Sequence, residues 1–365
     1  MYSFDDEWGP ERILEVYDPK TKVHGVVVID NTALGPGKGG MRLVPDISTN
    51  EVFGLARAMT WKNSLADLPF GGAKAGIKAD PKKINKEEVI RSFARLLSPV
   101  IPKQYIAGPD MNTTENEMGW FSDELKNKNA CTGKPARMGG LPHELGSTGY
   151  GVALATKVAM EFSKKPISGA TVAIEGYGNV GTFAHKFLEE MGAKVVAISD
   201  SKGTAYLPSG IKYEEALNTK SAKGTITAYP NAQLKTGKEL FELNVDILIP
   251  GARPNVITKE NVHNIKSKLV VEAANIPMVP EVELMLAKKG ILAIPDFVAN
   301  AGGVISSYVE YKGGSPAEMF KTVEQKIISN TTKVLENTRD LDVRSSALAI
   351  AKERVKEAMD KRGKI

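Results

Sequence analysis

The stretch from Thr171 to Asp200 restricts the fold of this chain more than any other. Thr171-Val172-Ala173-Ile174 is a short apolar run, and Gly176-Tyr177-Gly178-Asn179-Val180-Gly181 follows it. Thr182 to Met191 reads as a helix, and a second run, Val195-Val196-Ala197-Ile198, ends beside Asp200. Strand, glycine turn, helix, strand and acid in that order form the dinucleotide fingerprint. A bare G-x-G-x-x-G arises by chance in glycine-rich chains, but the strand before it and the acid 24 positions after Gly176 give this one weight. Its glycines let a pyrophosphate approach the backbone at a helix N-terminus, where free N–H groups and the helix dipole favour negative charge. Asp200 either accepts hydrogen bonds from the adenosine ribose or caps the turn at Ser201-Lys202-Gly203.

Further strand-like runs at Val245 to Ile249, Leu269 to Val271 and Ile291 to Ile294 alternate with polar helical segments such as Pro280 to Lys289. That alternation implies a mostly parallel sheet with helices on both faces. Asn275 and Asn300 follow the last two runs, on the side where open α/β sheets bind ligands. As bare asparagines they serve equally well as turn or cap residues.

The half of the chain before the fingerprint has a different character. Ile13 to Tyr17 and Val23 to Ile29 flank the turn-forming Asp18-Pro19-Lys20-Thr21-Lys22 and suggest an antiparallel pair. Then come three lysines on glycine-rich or apolar backgrounds. Lys38 lies in Gly35-Pro36-Gly37-Lys38-Gly39-Gly40-Met41-Arg42, and Lys74 in Pro69-Phe70-Gly71-Gly72-Ala73-Lys74-Ala75-Gly76. Lys62 lies between them on a helix opened by the capping pattern Ser48-Thr49-Asn50-Glu51, in step with Val52, Leu55, Ala56 and Met59 on its apolar face. A lysine turned toward a core must snorkel, find an anion or lose its proton. Three within so short a span read as a pocket built for an anion. A second helix runs from Lys86 to Leu97 with Asn85 as its N-cap. Asp110 follows a short strand and a Gly-Pro turn, where it is either a cap or a side chain aimed into a cleft. The polar, glycine-rich segment from Asn127 to Ser147 reads as a linker, and Thr148 to Lys164 as the next helix.

A length of 365 residues accommodates two domains. The net charge of +5 is spread over interspersed acids and bases, which argues against nucleic-acid binding. The acidic start lacks a signal-peptide core and no run is long enough to span a bilayer, so a cytoplasmic enzyme is expected. The lone Cys131 excludes an intrachain disulfide and reads as a small residue of a polar loop. His24, His143, His185 and His263 lack metal-ligand spacing, and no metal site is expected.

Leu68 to Gly76 with Asp80-Pro81 resembles the active-site signature of the glutamate/leucine/phenylalanine/valine dehydrogenases. The resemblance extends through Gly35 to Gly40, Met59-Thr60-Trp61-Lys62-Asn63, Gly108-Pro109-Asp110, Thr148-Gly149-Tyr150-Gly151 and Asn300-Ala301-Gly302-Gly303-Val304, covering nearly the whole chain. It implies an α/β fold of two domains with the active site in the cleft between them. Residues 1–147 would form the substrate and assembly domain, with the C-terminal helix at about 340–365 packed back on it, and 148–339 the Rossmann-type domain. It also implies reversible oxidative deamination of an L-amino acid with NAD or NADP, by a homo-oligomer for which a hexamer is favoured.

By the same resemblance Lys74 is the general base and Asp110 the proton shuttle, with the charge of Lys62 and enclosure together lowering the Lys74 pKa. Lys62 would hold the α-carboxylate, and Lys38, Ser307, Val304, Gly40 and Met41 would complete the substrate site. Thr148, Asn275 and Asn300 would meet the nicotinamide end of the cofactor. Lys38 and Ser307 match the glutamate enzymes, whereas relatives acting on apolar amino acids carry apolar residues at both positions. Ala75 and Arg253 depart from the family pattern. The alternatives are a dehydrogenase of apolar amino acids and a catalytically silent nucleotide-binding regulator.

Overall fold

A computed structural model describes residues 6–142 and 145–363; the acidic start and His143 lie outside the described residues. In the N-terminal part, β1 (Arg12–Asp18) and β2 (Val23–Asn31) pair antiparallel, with Leu14 opposite Val27. Asp18 closes their turn by accepting from the Lys20 N–H at 3.0 Å and the Thr21 hydroxyl at 2.9 Å. There follow β3 (Gly37–Lys38), β4 (Met41–Val44), α1 (Thr49–Leu65), β5 (Gly71–Lys78), α2 (Lys86–Leu97), β6 (Tyr105–Ile106) and α3 (Glu115–Glu124). Ser48 caps α1 and Asn85 caps α2, each accepting the N–H three residues on. The sheet order is β1-β2-β5-β3-β6, with β4 also on β5. Strand β5 is therefore the hub: it is antiparallel to β2 and parallel to both β3 and β4. One face packs Val26, Val28 and Ile47 against Val52 and Ala56 of α1. The other packs Val27, Ile29 and Ala73 with Phe93, Leu97, Met118 and Phe121 of α2 and α3. Each such large side chain, fully buried, contributes roughly 1.5–3 kcal/mol.

The expected linker is built into this core. Ala130, Cys131 and Thr132 are fully buried, and Cys131 bridges to Ala107 as a further β pairing. Cys131 is thus a core residue rather than part of a polar loop, because its neighbours on α3 and β6 close over it.

The second part comprises α4 (Ser147–Phe162), β7 (Thr171–Glu175), α5 (Asn179–Glu190), β8 (Lys194–Asp200), β9 (Gly203–Tyr206), α6 (Tyr213–Lys223), β10 (Gln233–Lys235), α7 (Gly237–Phe241), β11 (Ile247–Pro250), β12 (Leu269–Val271), α8 (Pro280–Lys288), β13 (Leu292–Ile294) and α9 (Asp296–Ala299). Its sheet order is β10-β9-β8-β7-β11-β12-β13. From β8 to β13 the strands are parallel, whereas β9 and β10 form an antiparallel edge. The buried parallel strands are the apolar runs read from the sequence. The edge pair is too short and polar for the same reading.

The chain ends with α10 (Gly302–Tyr311), α11 (Pro316–Glu336) and α12 (Val343–Lys361). Two compact units result. The first takes in the chain through Leu145 with Val304–Met319 and the residues from Ile350; the second takes in Gly146–Gly303 and Phe320–Ala349. This division differs from the expected one in moving Val304–Met319 into the first unit and residues 340–349 into the second. Phe70 draws in the former segment, packing edge-on against Tyr308 and Tyr311 with centroids 5.9 and 5.4 Å away. The last helix is tied down by Ser64, whose hydroxyl donates to Ala351 O at 2.7 Å, and by Arg354, which donates to Ser64 O and Leu65 O. Among the described residues no helix is long and apolar enough to cross a membrane.

Candidate active site

In the first unit, the break between β3 and β4 at Gly39-Gly40 lies beside β5 and brings the conspicuous residues together. Lys74 points from β5 to Asp110, with its Nζ 2.9 Å from Asp110 Oδ2. Arg42 Nε reaches the same oxygen at 3.0 Å, while its Nη1 holds Glu51 at 2.7 Å. Asp110 is fixed by its own turn, donating its N–H to Thr113 Oγ1 at 2.9 Å; the Thr113 hydroxyl in turn donates to Met41 O at 2.6 Å. Only glycine fits at position 40. A Cβ there would stand 2.7 Å from Pro109 O, 2.8 Å from Asp110 Cβ and 3.2 Å from Lys74 Nζ.

Burial pulls the Lys74 ammonium below its ordinary pKa against the opposing charge of Asp110, and Arg42 adds to the lowering. Burial pushes the Asp110 carboxyl up, but Lys74 and Arg42 hold it below the usual carboxylate range. Arg42 is thus a cation that assists the lowering at Lys74. Sequence reasoning missed Arg42 although it sits in the glycine-rich motif, because an arginine one step into a strand reads as a surface charge.

Lys38 is 4% exposed, and its ammonium donates to Ala107 O at 3.1 Å. Burial brings its pKa down to about 8. Lys62 is half-buried in the last turn of α1. Its neighbour Asn63 is fully buried and ties α1 to both lysine-bearing strands, donating to Gly71 O at 2.7 Å and Lys38 O at 3.3 Å. Val304 and Ser307 are half-buried on α10, within the same unit as the three lysines. Met41 is fully buried with Ile29, Leu43 and Ala73, because alternation along β4 turns it to the packed face.

In the second unit, Gly176 turns the chain at φ 91°, and a Cβ at Gly181 would fall 1.9 Å from Gly176 O. A Cβ at Gly178 would meet no atom within 4 Å. Gly178 is also the N-cap of α5 and offers no side-chain cap, so the N-terminal N–H groups around Asn179 and Val180 remain for an anion. The turn therefore fits a dinucleotide pyrophosphate.

Asp200 ends β8, and its Oδ1 accepts from the Lys202 N–H at 2.8 Å. Its Oδ2 accepts from the Thr225 hydroxyl at 2.8 Å and the Ile226 N–H at 2.9 Å. It does cap the turn, whatever it does for a ribose. Burial raises its pKa, but these hydrogen bonds outweigh that and leave it below the ordinary value. Asn300 is buried and donates to Ala273 O at 3.2 Å and Asn275 Oδ1 at 3.0 Å, so the two asparagines form one group. Thr148 opens α4 beside Gly303, where a Cβ would stand 3.0 Å from the Thr148 hydroxyl. Among the described residues no cluster of three metal-ligating side chains occurs.

The sequence matches the family described as Glutamate/Leucine/Phenylalanine/Valine dehydrogenase over residues 139–363, and the Glu/Leu/Phe/Val dehydrogenase dimerisation domain over residues 10–127. It is 42% identical to a glutamate dehydrogenase of Aeropyrum pernix, over 99% of this chain and 94% of that protein. It is 39% identical to an NADP-specific glutamate dehydrogenase of Saccharolobus shibatae, over 97% of this chain and 90% of the relative. Among solved structures, the hetero-hexameric glutamate dehydrogenase of Thermus thermophilus in its Leu-bound form superposes with a TM-score of 0.85. Identity there is 31%, with 97% of this chain and 90% of the other covered.

Proposed function

The chain belongs to the glutamate/leucine/phenylalanine/valine dehydrogenase family, and from that premise we propose that it interconverts L-glutamate with 2-oxoglutarate and ammonia. The cofactor is NAD or NADP. The observation that carries the choice of substrate is Lys38, an enclosed ammonium whose partner among the described residues is a single carbonyl oxygen. Donors left over in a buried place call for an anion. With Ser307 it fits the side-chain carboxylate of glutamate.

A bound nicotinamide would supply the acceptor for the hydride that leaves the substrate Cα. Lys62 neutralises the α-carboxylate, and the absence of a side chain at Gly40 leaves Asp110 and Lys74 room to meet beside it. Lys74 in its neutral form takes a proton from the attacking water, and its depressed pKa is what makes that form accessible. Asp110 is bonded to the same nitrogen and carries protons between Lys74 and the departing ammonia. Arg42 keeps Asp110 ionised for that role. Val304 and Ser307 line the side-chain pocket from α10. Thr148, Asn275 and Asn300 would orient the nicotinamide and its ribose, Gly176 to Gly181 would hold the pyrophosphate, and Asp200 would accept from the adenosine ribose. The reading includes a cytoplasmic homo-oligomer, a hexamer by resemblance, supported by the dimerisation-domain match.

Steady-state kinetics with glutamate, leucine, methionine and phenylalanine against both cofactors, in wild type and in Lys38→Leu/Ser307→Val, tests this. Wild type should prefer glutamate. The double variant should lose about ten- to a hundredfold or more in kcat/KM for glutamate, since a hydrogen bond to a charged group is worth roughly 1.5–3 kcal/mol. Its preference should invert toward leucine or methionine. Preference for an apolar amino acid in the wild type would establish the alternative dehydrogenase class, and no turnover with any would leave a nucleotide-binding regulator.

A further inference from the structure

A buried ion pair lies close to this pocket and takes no part in the chemistry above. Glu310 sits on α10 one turn after Ser307 with its side chain 1% exposed, and Lys134, three residues after Cys131, is 4% exposed. Their charged atoms are 2.6 Å apart. Glu310 Oε1 also accepts from the Lys134 N–H at 3.3 Å, and its Oε2 accepts from the N–H groups of Gly133 and Leu141, both at 2.9 Å. Lys134 Nζ donates a second bond to Cys131 O at 2.7 Å. Cys131 pairs with Ala107, whose carbonyl oxygen receives the Lys38 ammonium. The ammonium is confined from the other side by Gly108, where a Cβ would stand 2.6 Å from Nζ. A continuous set of bonds thus runs from the helix of Ser307 to the nitrogen of Lys38.

Desolvating two charges consumes most of what their attraction returns, so stability alone is a weak reason to bury such a pair. Each of its charges, taken singly, acts on Lys38. Glu310 on α10 favours the ammonium, whereas Lys74 on β5 and Lys134 oppose it. Cys131, also adjacent, is a neutral thiol through this range, since burial pushes its pKa to about 12.

We propose that Glu310 is a positioning residue for substrate selection: it keeps Lys38 charged and fixes the helix of Ser307 against residues 133–141, so that a side-chain carboxylate meets an ammonium. The inference rests on the glutamate reading of the pocket. Lys38 loses its proton as pH rises through about 8, even with the help of Glu310. Without that carboxylate the midpoint falls, and each unit of fall weakens the charge-dependent binding about tenfold above it.

The test is kcat and KM for glutamate and for norvaline, which lacks the carboxylate, from pH 6 to 9.5. The proteins are wild type, Glu310→Gln, Lys134→Met and the double variant. In parallel the Lys38 side chain is titrated by its ¹³Cε shift, assigned with Lys38→Met. Glu310→Gln should raise the glutamate KM about fivefold near pH 8 and about tenfold by pH 9.5, corresponding to one unit of midpoint, while changing kcat and the norvaline constants less than about threefold. Lys134→Met should move the midpoint upward, and the double variant should return it toward wild type, because the opposing charges leave together. Equal impairment with both substrates and no recovery in the double variant would reduce Glu310 to a structural tie and overturn the proposal. If Glu310→Gln does not fold, Lys134→Met still decides, since an unchanged or lowered Lys38 midpoint there contradicts the electrostatic role. If wild type handles norvaline as well as glutamate, the substrate reading fails, while the Lys38 titration still reports on Glu310.

Discussion

The glycine segments at Gly40 and Gly178 look alike in sequence and differ in what fills the space a side chain would take. At Gly40 that space already belongs to Pro109, Asp110 and Lys74, and at Gly178 it belongs to no protein atom. The first segment is a packed assembly of charged side chains whose pKa values are set by one another and by burial. The second is an open cradle that a bound anion completes. Glycine spacing alone therefore does not say whether a loop was built to admit a ligand or to bring its own side chains together.

The largest effects should come from breaking the packed assembly at its charges. On the proposed mechanism Lys74→Ala removes the base and Asp110→Asn the shuttle, and each should lower kcat by about 10²–10⁴. Cofactor affinity should stay near wild type by fluorescence titration, because the cradle at Gly178 belongs to the other unit. Near-normal turnover in either variant would remove that residue from the mechanism. The pH dependence sharpens the point. Lys74 has a depressed pKa and on the proposed mechanism must be neutral to act, so kcat at saturating substrate should rise with pH through a midpoint below that of an ordinary lysine.

An intermediate effect separates the two glycines. Gly40→Ala forces Cβ against the carbonyl oxygen of Pro109 and should destabilise the protein by about 1–3 kcal/mol as overpacking, with turnover lost alongside. Gly178→Ala meets no protein atom and should leave the denaturation midpoint almost unchanged while weakening cofactor binding about tenfold or more, since its methyl occupies the approach of the phosphates. Equal losses of stability in the two variants would erase the contrast.

How far the sequence could be read follows the same contrast. The second unit was legible because its signals are local: buried strands of four or five apolar residues, a glycine turn and an acid follow one another along the chain. The first unit yielded its lysines and Asp110, and its caps at Ser48 and Asn85, but not its long-range pairings. That Arg42 shares an oxygen with Lys74, that residues 130–134 form core rather than linker, and that α10 returns through Glu310 all depend on partners from 24 to more than 170 positions away. No periodicity reports such contacts. Asp200 was legible only as a choice between two roles, because the turn of Thr225 and Ile226 that it holds is announced by no motif.

The smallest expected effect is at Asp200, and it tests whether the open cradle also carries internal charge logic like that of the packed one. Its two oxygens already accept from Lys202, Thr225 and Ile226, so the carboxylate is part of the fold before any ribose arrives. Asp200→Ser removes the negative charge that repels a 2′-phosphate and leaves Lys202 and Lys220 close by. The ratio of kcat/KM with NADP to that with NAD should rise, but only about three- to tenfold, because the Thr225–Ile226 turn loosens with the loss of its acceptor. The carboxyl titrates below its ordinary value when folded, so it stabilises the fold above the unfolded pKa and that contribution disappears as pH falls through the folded one. Across neutral and alkaline pH it stays ionised, and the wild-type cofactor ratio should be flat there with respect to this group. A ratio unchanged by Asp200→Ser, in a protein of nearly wild-type stability, would mean that the acid serves the turn and not the cofactor.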